Sequence, residues 1–366
     1  MSAATPNASR HALHALRVDE VTPITDDSVA ITFNVPEDLG ELFAFSPGQH
    51  LALARSGDGD DVRRSYSICS AVGEPLRVAV KLLPDGAFST WVHSQLKVGD
   101  ELHVMPPVGR FTIGLDPAHR RHYAAIAAGS GITPILSILA SALAAEPENR
   151  CTLIYGNRTT SSIMFLEELE DLKDRYGARL QLIHVLSREP QEVELAEGRI
   201  DRAKLKRLLA TVVCAETVDE WFLCGPFGMI EAARTTLRED GVASAAIRRE
   251  LFHGDQPAPP AAPTPQIDRA EGDGSVVTVV LDGRRTQLMV PRAGIAILEA
   301  ALAARPDAPY ACKGGVCGTC RCRITEGEVR MDHAYALEPD EISAGIRLAC
   351  QSHPVTDTVV LDFDIA

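Results

Sequence analysis

Apolar and polar residues alternate in short runs over the first third of the chain, a pattern that predicts β-strands. Turn segments rich in glycine and proline, such as SPGQH, PDG and PPVGR, punctuate the runs. The predicted strands cover residues 29–35, 49–54, 65–69, 76–83 and 101–105. Short strands at this spacing are typical of a small antiparallel barrel. The pattern predicts an antiparallel β-barrel domain at residues 11–115.

The pattern changes near Asp116, where apolar strands begin to alternate with amphipathic helices. The strand, glycine turn and helix of 123–143 open this region, and a short strand at 249–252 closes it. Further strands are predicted at 151–158, 180–187 and 220–226, with helices at 164–175, 201–209 and 228–240. Such alternation predicts a doubly wound α/β domain with a parallel sheet, here residues 116–252. Ligands of such domains lie at the carboxyl ends of the strands.

A proline-rich segment, QPAPPAAPTPQ, interrupts the pattern within residues 253–274 and predicts an extended linker. We expect it to act as a tether that lets the last domain move between positions. Beyond it, residues 275–291 form a hairpin pattern around Asp282-Gly283. A helix at 294–304 and a closing strand from Val359 follow. This order predicts a β-grasp fold for residues 275–366.

Composition restricts the function of these 366 residues. The net charge of −14 argues against a nucleic-acid partner. No run of about 18 apolar residues exists, so the sequence predicts no membrane partner, and the N-terminus lacks the apolar stretch of a secretory signal. The nine cysteines are scattered apart from one cluster, which fits a reducing compartment and predicts a cytoplasmic location.

Four cysteines carry the strongest chemical signal in the chain. Cys312, Cys317 and Cys320 read C-x4-C-x2-C, and Cys350 follows after a long gap. This is the spacing of plant-type [2Fe–2S] ligands, with glycines between them. The alternative is a structural zinc site in a non-redox protein, but zinc usually takes two C-x2-C pairs or mixed Cys/His ligands. Cys322 could compete with Cys350, although we favour a buried structural role.

The barrel carries an R-x-Y-S motif at Arg64, Tyr66 and Ser67, followed by Gly86 and Ser89 at a predicted helix start. We expect Ser89 to be the N-cap of this helix, whose N-terminus suits a phosphate. A nearby arginine adds charge-assisted contacts, and a strand tyrosine can stack on a flat ring. Cys69 lies on the same strand and is expected to be a buried small hydrophobe.

Glycine turns follow two strands of the α/β domain. The segment GSGITP contains Gly129, Gly131, Thr133 and Pro134, and it predicts a phosphate cradle with Pro134 near the first helical position. Cys224-Gly225-Pro226 ends a later strand.

The hydroxyl and guanidinium that follow the third strand of this domain belong to Ser187 and Arg188. They could bind a 2′-phosphate, which favours NADPH over NADH.

Together these motifs resemble the ferredoxin–NADP reductase superfamily with a C-terminal ferredoxin domain. The resemblance implies that Arg64 binds flavin phosphate, that Tyr66 stacks on the isoalloxazine and that Ser67 lies near flavin N5. It implies that Val80 and Lys81 line the flavin, and that Gly86 and Ser89 bind its pyrophosphate. Members use FAD or FMN, and we favour FAD.

For the nucleotide, the resemblance implies that the GSGITP loop binds pyrophosphate and that Cys224 and Gly225 approach the nicotinamide. Glu250 would face the nicotinamide, and Phe252 would lie near the flavin ring. Ser67, Cys224 and Glu250 are therefore the candidate catalytic residues.

The three cofactors predict a direction of electron flow, since a flavin accepts two electrons from a nicotinamide and releases them singly to a cluster. The resemblance is closest to reductases of multi-subunit di-iron oxygenases that act on an aromatic ring, which implies such an oxygenase as the electron acceptor. The alternative is the reductase of another aromatic-ring oxygenase or hydroxylase. The acidic residues Glu338, Asp340 and Glu341 are expected to be a solvated surface run, with docking as the alternative.

Overall fold

The computed structural model describes residues 11–55, 62–252 and 274–365. They form three large sheets, each from its own segment of the chain, and one small two-stranded sheet in the last segment. The predicted linker, apart from Gly274, lies outside the described residues. Within the described ranges, no helix has the length and apolar character needed to cross a bilayer.

The first sheet is antiparallel and has six strands in the order β4-β3-β6-β1-β2-β5. An isolated bridge between Ile68 and Val78 joins the two outer strands and closes the sheet into a barrel. The strands are β1 His14–Thr25, β2 Ser28–Asn34, β3 His50–Arg55, β4 Val62–Ser67, β5 Arg77–Lys81 and β6 Glu101–Val104, with helix α1 at Ala87–Gln95.

The second sheet is parallel, in the order β11-β10-β7-β8-β9. Helices cover both faces, since α2 and α3 pack with Tyr123 and Ala125 on one face while α4 and α5 pack with Ala124 and Ile126 on the other. The strands are β7 His122–Ala128, β8 Arg150–Asn157, β9 Leu180–Leu186, β10 Glu220–Gly225 and β11 Ile247–Leu251. The helices are α2 Ile132–Ala145, α3 Leu166–Tyr176, α4 Arg202–Thr211 and α5 Phe227–Glu239. The doubly wound prediction is confirmed.

The third sheet has the order β13-β12-β18-β14-β16, in which β12 and β18 are parallel and the other pairs antiparallel. Asp282 and Gly283 have positive φ angles of 51° and 69°, which the tight turn of the first hairpin requires. The strands are β12 Gly274–Leu281, β13 Arg284–Pro291, β14 Arg321–Glu326, β15 Val329–Met331, β16 Ile346–Leu348, β17 Ser352–Pro354 and β18 Thr358–Asp362. Helices α6 Ile297–Ala304 and α7 Pro339–Ser343 complete this β-grasp domain.

The three domains share apolar contacts. Cys69, Phe111 and Ile113 of the barrel belong to the same core as α2. Ala311 and Cys317 of the third domain pack on Ala52 and Met105 of the barrel, and Val316 packs with the core around α4 and α5. The loop that carries the clustered cysteines therefore lies at the junction of all three domains.

Candidate functional site

The cysteine loop presents backbone donors to sulfur atoms. Gly314 N lies 3.3 Å and Cys317 N 3.4 Å from Cys312 Sγ, while Thr319 N lies 3.5 Å from Cys317 Sγ. The loop bends through positive φ angles at Gly315 (74°) and Gly318 (71°). Donors aimed at thiolates stabilise a cluster and tune its reduction potential, so the loop fits a [2Fe–2S] group.

The four cysteines meet in two pairs. Cys312 interacts with Cys317, which lowers the pKa of Cys317, and Cys320 interacts with Cys350, which lowers the pKa of Cys350. Two pairs fit two irons, each with two thiolates. A structural zinc site usually takes two C-x2-C pairs or mixed Cys/His ligands, so the spacing of these cysteines argues against the zinc alternative.

The two remaining cysteines of interest are buried away from these pairs. Cys322 is fully buried in β14, with its Sγ 3.6 Å from the carbonyl of Arg347. Cys69 packs in the core between the first two domains. Burial raises the pKa of both thiols. The expected burial of each is found, and a structural role stays a prediction.

Strand β4 presents different residues on its two faces. Tyr66 points toward α1, with its ring 5.5 Å from that of Phe88, and burial raises its pKa so that the phenol stays neutral. Arg64 shares this face and is exposed. The opposite face carries Ser65, whose buried Oγ has no hydrogen-bond partner in the described part of the chain. A buried hydroxyl without a partner is available to a polar group bound on that face of the strand.

The expectation that Ser89 caps α1 is wrong. Gly86 is the N-cap, and Ser89 lies inside the first turn, where its Oγ accepts from Leu83 N at 3.1 Å and donates to Gly86 O at 3.0 Å. A Cβ on Gly86 would lie 2.5 Å from Ser89 Oγ. Since no side chain caps this helix, its first N–H groups stay available for a phosphate.

The other two residues expected to line the flavin lie on β5. Val80 is fully buried in the barrel core. Lys81 forms an ion pair with Asp27, with Nζ 3.0 Å from Oδ1. This pairing fixes the lysine at the end of the strand.

The parallel sheet reverses its strand order between β7 and β10, and the glycine loops meet there. A Cβ on Gly131 would lie 2.3 Å from the carbonyl oxygen of Cys224, so only glycine permits this approach. Gly129 (φ 53°) and Gly225 (φ 153°) also adopt positive φ angles. Cys224 is fully buried, and burial raises the pKa of its thiol. Ligands of open α/β sheets bind at this kind of reversal.

The helix after Gly131 begins earlier than expected. It starts at Ile132 directly after a short 3₁₀ turn at Gly129–Gly131, so Pro134 lies at the third helical position, not near the first. Thr133 Oγ1 donates to Ser130 O at 3.0 Å. No side chain caps this helix, and the N–H of Ile132 donates to the carbonyls of Gly129 and Ser130 in the preceding turn.

Ser187 and Arg188 follow β9, as the sequence predicts. Ser187 Oγ donates to Asn157 O at 3.2 Å, and Arg188 N donates to Arg158 O at 2.8 Å. The Arg188 side chain is exposed. The carboxylate of the neighbouring Glu189 is held by Thr160, since it accepts from Thr160 N and Thr160 Oγ1 at 2.8 and 2.7 Å.

Ser67 and Glu250 meet where the first two domains join. Ser67 Oγ donates to Glu250 Oε2 at 2.8 Å. Glu250 lies beside Cys224 in the parallel sheet. Burial raises the pKa of Glu250 to about 7, the Ser67 hydroxyl opposes this rise, and the Cys317 sulfur adds to it. Phe252 follows β11 and packs against the shared core. The three candidate catalytic residues therefore occupy one site.

Two further polar residues of this site, His50 and Thr319, are not predicted by any motif in the sequence. His50 Nδ1 lies 3.9 Å from Glu250 Oε1, and His50 Nε2 lies 3.3 Å from Thr319 Oγ1. They belong to different domains, and only the fold brings them together. The GQH turn before β3 is the one local signal for His50.

The expectation of a solvated acidic run is wrong for Glu341, whereas Glu338 and Asp340 are exposed. Glu341 is buried and binds Arg110 of the barrel, with Oε1 2.6 Å from Nη1, and it also binds Arg321. Glu338 Oε1 lies 3.4 Å from Nε of Arg249 in the second domain. These ion pairs join the third domain to the other two.

The ion pairs of Glu341 predict unequal effects of mutation. Glu341→Ala should lower the free energy of unfolding by about 3 kcal/mol, because it leaves the mostly buried Arg321 unpaired. Arg110→Ala should cost less than about 1 kcal/mol, since the Arg110 side chain is 71% exposed. Urea titrations monitored through the visible absorbance of the cluster would measure the free energy of unfolding of both variants. Equal costs would contradict this account of the interface.

Three family models match the chain, in the order of its domains. An oxidoreductase FAD-binding domain matches residues 15–113, an oxidoreductase NAD-binding domain matches 125–235, and a 2Fe-2S iron-sulfur cluster binding domain matches 279–355. Fold, site and matches define a flavin-dependent oxidoreductase with a C-terminal ferredoxin domain. The FAD, pyridine-nucleotide and [2Fe–2S] predictions are confirmed at this level.

Comparisons with individual proteins show which group of these flavin-dependent oxidoreductases the chain belongs to. The chain is 45% identical over 355 residues to a component of the 1,2-phenylacetyl-CoA epoxidase from Escherichia coli strain K12, with 96% of this chain and 98% of that one covered. It is 35% identical to the ferredoxin reductase component of 3-ketosteroid-9-alpha-monooxygenase from Rhodococcus rhodochrous, with 98% of both chains covered. The chain belongs to this family of oxygenase reductase components.

A solved structure shows the same three-domain architecture. Phthalate dioxygenase reductase, described as a modular structure for electron transfer from pyridine nucleotides to [2Fe–2S], aligns with a TM-score of 0.59 and 22% identity. The alignment covers 96% of this chain and 98% of that one. At this identity the likeness concerns the fold.

Proposed function

We propose that this chain is the reductase component of a phenylacetyl-CoA epoxidase complex. It would take electrons from NADPH and pass them through FAD and the [2Fe–2S] cluster to the di-iron oxygenase component that epoxidises phenylacetyl-CoA. The similarity to the Escherichia coli epoxidase component over nearly the whole chain supports the acceptor. A cytoplasmic location belongs to this proposal, since thiols persist in a reducing compartment.

One observation carries the proposal: Ser67, Glu250 and the cysteine loop, from three domains, meet at one junction. When bound, the flavin supplies two-electron chemistry toward the nicotinamide and one-electron chemistry toward the cluster. Electrons pass more readily between cofactors that lie close together. A junction of all three domains would therefore suit transfer from the nicotinamide to the flavin and on to the cluster.

The protein's own residues would position the groups and handle the proton. The uncapped starts of α1 and α2 would hold the phosphates of flavin and nucleotide. Tyr66 and Arg64 would support the flavin. Ser67 Oγ donates to Glu250 Oε2, so the hydroxyl could relay a proton to the buried carboxylate only while it takes up another from the flavin side. The buried Cys224 would shape the nicotinamide side.

We infer that the residues after β9 favour NADPH over NADH. The exposed Arg188 is available to a 2′-phosphate. Glu189, which could otherwise bind a ribose 2′-hydroxyl, is held by Thr160.

Arg188→Ala tests this preference. We expect the KM for NADPH to rise about tenfold or more, since a charge-assisted hydrogen bond contributes about 1.5–3 kcal/mol. The KM for NADH should change little. Arg175→Ala, on an exposed helix of the same domain, serves as the control. An equal rise in KM for NADPH and NADH would show that Arg188 does not bind the 2′-phosphate.

The acceptor is tested by reconstitution. The holoprotein is mixed with purified phenylacetyl-CoA epoxidase oxygenase, and NADPH oxidation is followed with and without phenylacetyl-CoA. We expect substrate-dependent oxidation coupled to epoxide formation. If NADPH oxidation is coupled only to a different oxygenase, such as a steroid hydroxylase, then that oxygenase is the electron acceptor and the proposed acceptor is wrong.

A further inference from the structure

His50 occupies a fixed place between the two halves of the junction. It pairs with Ser67 across β3 and β4, so both side chains lie on the same face of the barrel. Its backbone is held on both sides, since His50 N donates to Val108 O at 2.8 Å and Val108 N donates to His50 O at 3.0 Å. The imidazole is almost fully buried, with the residue 4% exposed.

Gly109 fixes the plane of the imidazole. A Cβ on Gly109 would lie 2.9 Å from His50 Nδ1 and 3.3 Å from Cε1, so the ring packs directly against the glycine backbone. Gly109 has a φ of 124°, which other residues rarely adopt. The backbone therefore leaves the ring few alternative orientations.

The two ring nitrogens face different domains. Nδ1 faces Glu250 Oε1 of the second domain at 3.9 Å, and Nε2 lies 3.3 Å from Thr319 Oγ1 of the third. Thr319 Oγ1 in turn lies 3.2 Å from Cys317 Sγ. Ser67, Glu250, His50, Thr319 and Cys317 thus form one line of polar contacts from the flavin side to a cluster ligand.

The chemistry of a thiolate sets the direction of these contacts. A thiolate ligand only accepts hydrogen bonds, so the Thr319 hydroxyl must donate to Cys317 Sγ. Its oxygen then accepts from His50, which places the imidazole proton on Nε2 and leaves the lone pair of Nδ1 toward Glu250. The proton on Nε2 strengthens the Thr319 donor by polarising the hydroxyl.

We propose that His50 is a positioning residue for electron transfer, which orients the Thr319 hydroxyl toward Cys317 and thereby raises the reduction potential of the cluster. Hydrogen bonds to cluster sulfurs stabilise the more negative, reduced state. The inference rests on the proposed function, because it requires a [2Fe–2S] cluster on these cysteines.

Matched substitutions separate positioning from packing. His50→Gln places an amide N–H near the position of Nε2 and should keep the potential of the wild type. His50→Asn reaches only as far as Nδ1 and should lower it. Thr319→Val removes the hydroxyl at nearly constant volume and should lower the potential further, whereas Thr319→Ser keeps it.

The test is an EPR-monitored redox titration of the full-length holoprotein, together with the rate of cluster reduction in stopped flow. We expect cluster reduction to slow about tenfold in His50→Asn and in Thr319→Val, within the range of effects of outer-shell changes at metal sites. The double variant should be no worse than Thr319→Val alone, since both act through the same hydroxyl.

Two results would overturn the proposal. A wild-type potential in Thr319→Val would show that the hydroxyl does not act on Cys317, whether or not the His50 variants fold. Additive shifts in the double variant would show that His50 acts independently of Thr319. The titration needs neither NADPH nor an oxygenase, so a wrong acceptor would leave it unaffected. The absence of any cluster signal in the wild type would instead refute the proposed function.

Discussion

Replacing Cys317 with serine should remove the cluster and reduce electron delivery to cytochrome c by more than about 100-fold, since even outer-shell changes cost 10–100-fold at metal sites. Cys317 pairs with Cys312, and a hydroxyl replaces the thiolate poorly as an iron ligand. Reduction of ferricyanide by NADPH through the flavin should persist. Visible absorbance and EPR measure the cluster, and the two acceptors separate the steps.

Two other cysteines provide the controls. Cys322→Ala alters a buried thiol two positions from Cys320 and should keep the cluster, with some loss of stability. Cys214→Ser alters an exposed thiol and should change nothing. If Cys322→Ala loses the cluster while Cys350→Ser keeps it, then Cys322 is the fourth ligand.

Replacing Glu250 with glutamine should slow reduction of the flavin by NADPH by about 100-fold, the lower range for a group that assists proton transfer or stabilises charge. The carboxylate would stabilise the positive charge that hydride donation leaves on the nicotinamide. Ser67→Ala should slow the same step, because Ser67 Oγ holds Glu250 in place. Stopped-flow absorbance of the flavin measures this step directly.

The pH dependence distinguishes a charge effect from a loss of packing. Burial raises the pKa of Glu250 to about 7, so the carboxyl is neutral below that pH and ionised above it. The rate of flavin reduction should therefore rise with pH through about 7 in the wild type and stay flat in Glu250→Gln. An identical rise in the variant would assign the titration to another group.

The sequence predicts the architecture well where a pattern is local. The inner strands β10, β7 and β8 of the parallel sheet each contain a buried, mostly apolar run, because both faces of the sheet are covered there. The cysteine loop is readable because its spacing is specific. Strand β1 escapes prediction, since only Leu16 and Val18 of its twelve residues are buried and its second half lacks an alternating pattern.

Contacts between domains lie beyond what the sequence predicts. Glu341 belongs to a run of acidic residues that looks solvated, yet it binds two arginines from different domains. The contact between His50 and Thr319 joins residues 269 positions apart. Serine favours the N-cap position, but Gly86 takes it at α1 and leaves Ser89 inside the first turn. In each case tertiary packing decides what local preference cannot.

In the proposed function, electrons pass in series from NADPH through the flavin to the cluster. The most direct test mixes NADPH anaerobically with the holoprotein and with protein from which FAD has been removed, and follows the cluster by EPR. We expect a reduced [2Fe–2S] signal in the holoprotein and none in the flavin-free protein until FAD is restored. Cluster reduction at the same rate in both would contradict the account.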